Sequence, residues 1–116
     1  MHNACIVALT YLLNALCHLM LVLNLTLTFY QDFSIADNFN IDAVKDTYNR
    51  AFKEWQDNYK YITELVMVLN WKIWEHHNSN NIELSKVYND LWVKLDKWVQ
   101  DNFNADELDY YYTTTD

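Results

Sequence analysis

The longest apolar run in the charged part of the chain lies between Tyr59 and His77. One side of this run has apolar residues at helical i, i+3, i+4 spacing, namely Ile62, Leu65, Val66, Leu69 and Ile73. The other side is also largely apolar, with Tyr61, Met67, Val68, Trp71 and Trp74. A helix that is apolar nearly all round belongs at the centre of a bundle or in an interface. The pattern therefore predicts a central helix that the rest of the chain covers.

Two further segments carry an apolar stripe on one side and charged residues on the other. The first stripe runs from Ala43 to Trp55 and the second from Leu84 to Phe103, with apolar residues three and four positions apart. Short polar stretches rich in Asn and Asp join these two segments to the central apolar run. The predicted fold class is all-α, a small helical bundle of three long helices at about residues 42–58, 59–78 and 82–103, with short terminal helices.

The stretch between residues 24 and 42 carries mixed local signals. Residues 24–30, NLTLTFY, alternate apolar and polar positions, which leaves open an extended segment at 25–30, as a connector or as an edge that pairs between chains. Ser34 and Asp37 have capping-box spacing, which predicts a short helical turn through Asn40. Asp42 is the predicted N-cap of the helix that follows.

The N-terminal segment, residues 1–24, is apolar and is treated apart from a single helical domain at residues 25–116. Residues 1–31 contain no Asp, Glu, Lys or Arg, and residues 6–23 read IVALTYLLNALCHLMLVL. This length favours a membrane-seeking helix, whereas Asn14, His18 and the lack of basic flanks favour a packed helix. A non-native extension from an upstream start codon is a third alternative. Cys5 and Cys17 are expected to be reduced, buried thiols.

Composition changes the expected turns and excludes several function classes. The chain has no Gly and no Pro but 14 Asn and 11 Asp, so Asn and Asp are expected at turns and helix ends. Asn104 with Glu107 forms a capping box for a short last helix. Without glycine, phosphate-binding loops of the Walker or Rossmann type are excluded. The net charge of −8 argues against direct nucleic-acid binding, which needs a basic surface.

Candidate catalytic and metal-binding residues are few. His76 and His77 follow Glu75, but adjacent helical histidines point about 100° apart, so we interpret them as structural or surface residues. Glu64 lies between apolar neighbours and is expected to be partly exposed. No nucleophile has a base at a suitable spacing. The sequence thus predicts no enzyme, no catalytic residues, no cofactor and no metal site.

The C-terminal segment is the best candidate for partner binding. From Gln100 onward it has no Lys or Arg, and its acids lie beside three consecutive tyrosines. Acids with tyrosine suit an interface with a basic protein. Two tryptophans off the main stripe of the central helix indicate a second interface. The predicted partner-binding residues are Asp101, Asp106, Glu107, Asp109, Tyr110, Trp71 and Trp74.

Three stretches carry a resemblance to a known class of proteins. They are SIADNFNIDAVKDTYNRAFKEWQDNYKYITELVMVLNWKIWEHH, LSKVYNDLW and the final ELDYYYTTTD. Over about residues 26–116 the chain resembles small accessory proteins of bacterial prophages and conjugative elements. The resemblance implies no reaction. It implies a bacterial cytoplasmic accessory protein, and some helical, acidic proteins of such elements inhibit host defence, including anti-CRISPR proteins.

The expected function is therefore a non-enzymatic, acidic interaction protein of a phage or mobile element. Its partner would be a basic host or element protein, and inhibition of a host defence protein is one such role. A self-assembling structural helical protein, which would form homo-oligomers, is the first alternative. A small protein anchored in a membrane through residues 6–23 is the second.

Overall fold

The computed structural model describes the backbone of residues 2–116 and the side chains of residues 6, 8–13 and 24–116. Five α-helices account for nearly all of that backbone, which contains no strand. They are α1 (His2–Asp37), α2 (Ile41–Trp55), α3 (Tyr59–Asn78), α4 (Ile82–Asn102) and α5 (Ala105–Thr115). The predicted all-α bundle is confirmed, and the predicted bounds of α2, α3 and α4 hold to within three residues.

Helix α3 is the centre of the bundle, as its two apolar sides predicted. It packs against α1, α2, α4 and α5, and its most extensive contact is with α4. The buried apolar core draws on all five helices and consists of Phe29, Phe33, Ala36, Val44, Tyr48, Ala51, Ile62, Leu65, Val66, Val68, Leu69, Tyr88, Leu91, Leu95, Val99 and Tyr111. The amphipathic stripes of α2 and α4 face this core, because burial of such a stripe stabilises a helix more than its intrinsic propensity does.

Helix α1 is much longer than the short terminal element that the sequence predicted. The extended segment left open at 25–30 is instead helical, and Ser34 lies inside α1 rather than at a helix start. The reason is packing: Thr26, Phe29 and Phe33 recur at helical spacing and are all buried. An extended chain would turn alternate side chains to opposite faces and could not bury this set.

Asparagine side chains start three of the helices. Asn40, rather than the predicted Asp42, caps α2 by accepting a hydrogen bond from the amide of Ala43 at 2.8 Å. Asn58 caps α3 in the same way. Among residues 2–116, Asn80 alone has a positive φ, 60°, in the turn between α3 and α4. Asparagine therefore takes the place of glycine here, because it tolerates the left-handed region better than other residues with a side chain.

The N-terminal half of α1 bears on the membrane alternative. In the part of the chain that the structure describes, none of the helices is long and apolar enough to cross a membrane. The prediction of membrane association through residues 6–23 falls largely on residues 7 and 14–23, whose side chains lie outside the described residues. The side chains of Cys5 and Cys17, which were predicted to be reduced and buried, also lie outside the described residues. Helix α1 continues across residue 24 without interruption.

Candidate protein-binding surface and a buried ionic network

Helix α5 begins at the capping box that the sequence predicted. The Asn104 side chain accepts a hydrogen bond from the amide of Glu107 at 2.9 Å, and the Glu107 carboxylate accepts one from the amide of Asn104 at 3.0 Å. The two bonds satisfy amides that would otherwise lack a partner at the helix start. Glu107 therefore has a structural task, and its carboxylate is only partly available to a partner protein.

Tyr111 fixes α5 onto the bundle. Its ring is buried, and its hydroxyl donates a hydrogen bond to Asp96 Oδ1 at 2.7 Å. Burial, followed by this hydrogen bond to a carboxylate, raises the pKa of Tyr111 well above its usual value. The neutral hydroxyl is the form that donates to Asp96, so the raised pKa keeps this contact formed. One of the three consecutive tyrosines is thus committed to the core.

The outer face of α5 presents acids and one exposed tyrosine. Asp106, Asp109, Tyr112 and Asp116 are all exposed and follow one another at three- or four-residue spacing. Residues at this spacing lie on one side of a helix, and Asp116 directly follows the last residue of α5. We call these four residues the acidic stripe. Because no Lys or Arg occurs from Gln100 onward, the helix that carries the stripe has no positive charge of its own.

A groove opens beside the C-terminal end of the acidic stripe. It has a volume of about 300 Å³ and lies between α3, α4 and the end of α5. We call it the aromatic groove; its lining includes Met67, Asn70, Trp71, Trp92, Asp96, Tyr112 and Asp116. Trp71 is 44% exposed and Tyr112 is 46% exposed, although both are large aromatic residues. Tyr112 and Asp116 belong to both the groove and the stripe, so the two features form one continuous surface.

The predicted partner-binding residues are not all on this surface. Asp106 and Asp109 lie on the acidic stripe, and Trp71 lines the aromatic groove. Asp101 is on α4, where it pairs with Lys97 at 2.8 Å.

Tyr110 and Trp74 lie apart from the stripe and the groove. Tyr110 is half-buried with its ring edge against Tyr59, and burial raises its pKa. Trp74 is exposed beside the ring of His77 and does not line the groove. The structure therefore brings Trp71 together with the C-terminal half of the stripe and leaves these two aromatic residues outside it.

Of the residues that line the groove, only Trp71 was a sequence candidate; Tyr112, Trp92 and Asp96 are among those that were missed. Tyr112 could have been found from its spacing, because it follows Asp106 and Asp109 at successive three-residue steps along α5. Trp92 and Asp96 have no such local signal. They come from α4, and only the packing of α5 against α3 and α4 brings them to the groove.

A second notable cluster is an ion-pair network around the ammonium group of Lys72. Lys72 is 1% exposed, and its Nζ lies 2.8 Å from Asp37 Oδ2, 2.5 Å from Glu75 Oε2 and 2.9 Å from Ser34 Oγ. It also lies 4.7 Å from the centre of the Tyr30 ring. A buried ammonium group requires such compensation, since an unpaired charge is very costly to remove from water.

His76 of α3 and Tyr88 of α4 complete the network. His76 Nε2 lies 2.8 Å from Asp37 Oδ2, and the Tyr88 hydroxyl donates to Asp37 Oδ1 at 2.5 Å. The rings of His76 and Tyr88 are stacked 5.5 Å apart. Asp37 at the end of α1 thus contacts both α3 and α4. The network joins the three helices at one point.

The pKa shifts in the network follow from burial and pairing. Burial by itself lowers the pKa of Lys72, but the hydrogen bonds to Asp37 and Glu75 outweigh it and raise the pKa above its usual value. Burial raises the pKa of Glu75, but hydrogen bonds from Lys72 and Tyr30 outweigh it and lower that pKa. Burial and the bond to Asp37 raise the pKa of Tyr88. Each group is held in the charge state that its partners require.

Asp37, Glu75 and His76 are also of the types that hold divalent cations. Their ligand atoms lie within 4.8 Å of one another. However, Lys72 Nζ already lies between the two carboxylates and neutralises charge that a metal would need. The set therefore fits an internal ion-pair network better than a metal centre. His76, expected to be a structural or surface residue, is buried in this network, while His77 is exposed.

Glu64 is buried, so the sequence prediction of its exposure was wrong. It was expected to be partly exposed, but it is 7% exposed and accepts a hydrogen bond from Thr26 Oγ1 at 2.8 Å. The partner lies on α1, 38 positions earlier in the chain. Its burial therefore depends on the packing of α1 against α3, which no local pattern around Glu64 could indicate.

The lowered pKa of Glu75 predicts a stability change in acid. A carboxylate whose pKa is lower in the folded state contributes stability above its unfolded pKa of about 4.5, and this contribution is lost as the pH falls through the folded value. We expect wild type to be more stable than Glu75→Gln at pH 7, and the difference to shrink below about pH 4.5. Urea unfolding of both proteins between pH 7 and pH 3 measures this. A difference that stays constant over that range would contradict the ion-pair assignment.

Comparisons with protein-family models, with curated proteins and with solved structures found no match to this chain.

Proposed function

We propose that this chain is a non-enzymatic interaction protein that binds a basic protein through the acidic stripe and the aromatic groove. The observation that carries the proposal is their continuity: exposed carboxylates and half-exposed aromatic rings share Tyr112 and Asp116. Interfaces are typically anchored by aromatic residues in a groove and surrounded by polar groups. The surface has both parts.

The chemistry of the groove favours a lysine or arginine of the partner as the central contact. Trp71 and Tyr112 offer aromatic faces, which attract a cation. Asp96 and Asp116 offer carboxylates in the same groove, and within the described residues its lining contains no basic side chain. An arginine can contact a ring and a carboxylate at once, since its planar guanidinium group stacks and forms paired hydrogen bonds.

The buried network supports a binding role more than an enzymatic one. Lys72 and His76, which could in principle act as base or nucleophile, are buried and paired with carboxylates of the same network. No substrate could reach Lys72 without opening the contact between α1 and α3. This cluster is thus suited to holding three helices together.

The biological setting is proposed from the resemblance of residues 26–116 to accessory proteins of bacterial prophages and conjugative elements. A partner in that setting is a basic protein of the host or of the element. Proteins that act on nucleic acid carry basic surfaces. An acidic protein that covers such a surface would inhibit its owner, as an inhibitor of host defence such as an anti-CRISPR protein does.

The test begins by recovering binding proteins from a lysate of a bacterial host on the immobilised chain, then purifying the protein recovered. Replacing Asp106, Asp109 and Asp116 by Asn is expected to slow association about tenfold or more at low salt, with a smaller effect at about 0.3 M salt, because screening removes steering between exposed charges. Association and dissociation rates measured by surface plasmon resonance give the result. Glu107 is kept, so that the capping box stays intact.

The matched control neutralises three exposed acids on another face, Asp46→Asn, Glu54→Gln and Asp57→Asn. It changes the net charge equally, so it should slow association much less if the acidic stripe is the contact. In a second arm, Trp71→Ala should raise the dissociation rate roughly 30-fold or more, while Trp74→Ala, outside the groove, should have little effect. Equal effects of the two acid variants, or of the two tryptophan variants, would contradict the proposed surface.

A further inference from the structure

Another groove lies between α2 and α4 and has a volume of about 440 Å³. We call it the lysine groove; its lining includes Tyr48, Phe52, Lys94, Lys97, Trp98 and Asp101. Lys94 lines this groove, whereas Asp96 lines the aromatic groove. Residues two positions apart on a helix point about 160° apart, so the two grooves open on opposite sides of α4.

Three aromatic rings line the lysine groove and contact one another. The rings of Tyr48 and Phe52 are stacked with their centres 6.2 Å apart, and Trp98 meets Phe52 edge to face at 5.0 Å. Tyr48 is buried, and the other two are partly buried, so the rings are recessed between the helices. Sites for small molecules are concave, lined by aromatic side chains and roughly 300–1,000 Å³ in volume. The lysine groove has these properties.

The hydroxyl group of Tyr48 is a hydrogen-bond donor that the protein does not use. Tyr48 is 3% exposed, yet among the described residues its hydroxyl has no hydrogen-bond partner. In that part of the chain every fully buried polar side-chain atom is paired, so this hydroxyl reaches the surface of the groove that Tyr48 lines. Burial raises the pKa of Tyr48 to about 12, so the hydroxyl keeps its proton at pH 7. It can therefore donate to a ligand in the groove.

Two ammonium groups add positive charge to the same groove. Lys94 Nζ lies 5.6 Å from the centre of the Tyr48 ring, and it forms no ion pair with the carboxylates of the described residues. Lys97 pairs with Asp101 at 2.8 Å, but both side chains are exposed, and water screens such a pair so that it contributes little. The groove thus combines an aromatic lining with two ammonium groups and one hydroxyl donor.

We propose that the lysine groove binds a small aromatic carboxylic acid. The ring of the ligand packs against Phe52 and Trp98. Its carboxylate accepts hydrogen bonds from the ammonium groups of Lys94 and Lys97 and from the Tyr48 hydroxyl. A carboxylate fits this set of donors because it only accepts hydrogen bonds, whereas an amine would meet two like charges.

The test uses 1-naphthoate as the probe, with 1-naphthylmethanol and 1-naphthylmethylamine as its neutral and cationic analogues. Each compound is titrated into the isotope-labelled full chain at pH 7, and NMR follows the indole N–H signals of Trp98 and Trp71. Trp98 should shift with 1-naphthoate, while Trp71, in the aromatic groove, should not. We expect a Kd of about 1 mM or tighter for this small probe, and binding about tenfold weaker for either analogue.

Three variants examine the donors of the groove. Tyr48→Phe keeps the buried ring but removes the hydroxyl, and it should weaken 1-naphthoate binding about tenfold. Lys94→Gln with Lys97→Gln should weaken it about tenfold as well, with little effect on 1-naphthylmethanol. Asp101→Asn removes the carboxylate that competes for Lys97, so it should strengthen 1-naphthoate binding about two- to fivefold. Circular dichroism checks that each variant keeps its helices.

The matched control is Lys53→Gln with Lys86→Gln, which removes the same charge from exposed lysines outside the groove and should have little effect. The proposal is wrong if this control weakens binding as much as the lysine groove variant does. Binding of 1-naphthylmethylamine as tight as that of 1-naphthoate, or no shift of Trp98 at about ten times the expected Kd, would also overturn it. A short acidic peptide that shifts Trp98 where 1-naphthoate does not would overturn it in favour of an acidic protein as the occupant.

This proposal does not depend on the proposed binding of a basic protein. The acidic stripe lies on α5, and the aromatic groove opens on the other side of α4. Loss of partner binding in the stripe variants therefore has no bearing on the 1-naphthoate titration, and failure of the titration leaves the acidic surface untouched.

Discussion

Replacing Lys72 by methionine is expected to lower the free energy of unfolding by about 3–5 kcal/mol. Methionine keeps the length of the side chain but leaves the carboxylates of Asp37, 10% exposed, and Glu75, 38% exposed, without their ammonium partner. Removing one member of a buried ion pair is strongly destabilising because the remaining charge is out of water and uncompensated. Urea unfolding at pH 7, followed by tryptophan fluorescence and circular dichroism, measures the loss.

The matched control is Lys97→Met. Lys97 also pairs with an aspartate at 2.8 Å, but both side chains of that pair are exposed, so the loss should be far smaller. Adding Asp37→Asn to Lys72→Met should recover part of the stability, since it removes an uncompensated charge. If Lys72→Met costs no more than Lys97→Met, the network contributes little and the three helices are held by apolar packing alone.

Replacing Phe33 by alanine is expected to cost about 3–5 kcal/mol of unfolding free energy. Phe33 is fully buried, and its ring meets the ring of Tyr88 edge to face at 5.5 Å. The substitution would leave a cavity between α1 and α4 and remove an aromatic contact. The same urea experiment measures it. A large loss would establish the C-terminal half of α1 as part of the folding unit rather than an attachment to it.

Phe39→Ala is the control for this prediction. Phe39 lies six residues later, just beyond the end of α1, and is 74% exposed. Its removal should change the unfolding free energy by no more than about 0.5 kcal/mol. Similar losses in the two variants would mean that α1 does not pack against α3 and α4 as described.

Helices α2, α3 and α4 could be predicted because their signals are local. Each carries apolar residues at three- and four-residue spacing over several turns. This spacing indicates a helix whichever element the apolar side packs against. The capping box of Asn104 and Glu107 is equally local, since both partners lie within four residues. The wrong N-cap at Asp42 is a smaller error of the same kind: Asn40 and Asp42 are both good capping residues, and the backbone decides between them.

The conformation of residues 24–37 could not be predicted from local pattern. NLTLTFY satisfies strand periodicity, while Thr26, Phe29 and Phe33 satisfy helical periodicity over a longer stretch. The helical reading prevails because those side chains are buried against other helices. Tertiary packing overrides a short propensity signal whenever the buried area differs between the two conformations.

The candidate binding surface was predictable in part. The acids of α5 were identified from the absence of basic residues after Gln100, and Trp71 from its place off the main stripe. Which of the three tyrosines is exposed was not evident. A small rotation of α5 about its axis would have exchanged the roles of Tyr110 and Tyr112, and the bond of Tyr111 to Asp96 sets that rotation.

The sequence by itself determined that this protein is helical, that asparagine and aspartate form its turns, and that its C-terminal end is acidic. These properties follow from residue type and from spacing within a few positions. Only the tertiary structure decided that Glu64 and Lys72 are buried, because their partners Thr26, Ser34 and Asp37 come from α1, more than 30 positions away. A charged side chain leaves water only where such partners meet it, and that meeting is a property of the packed chain.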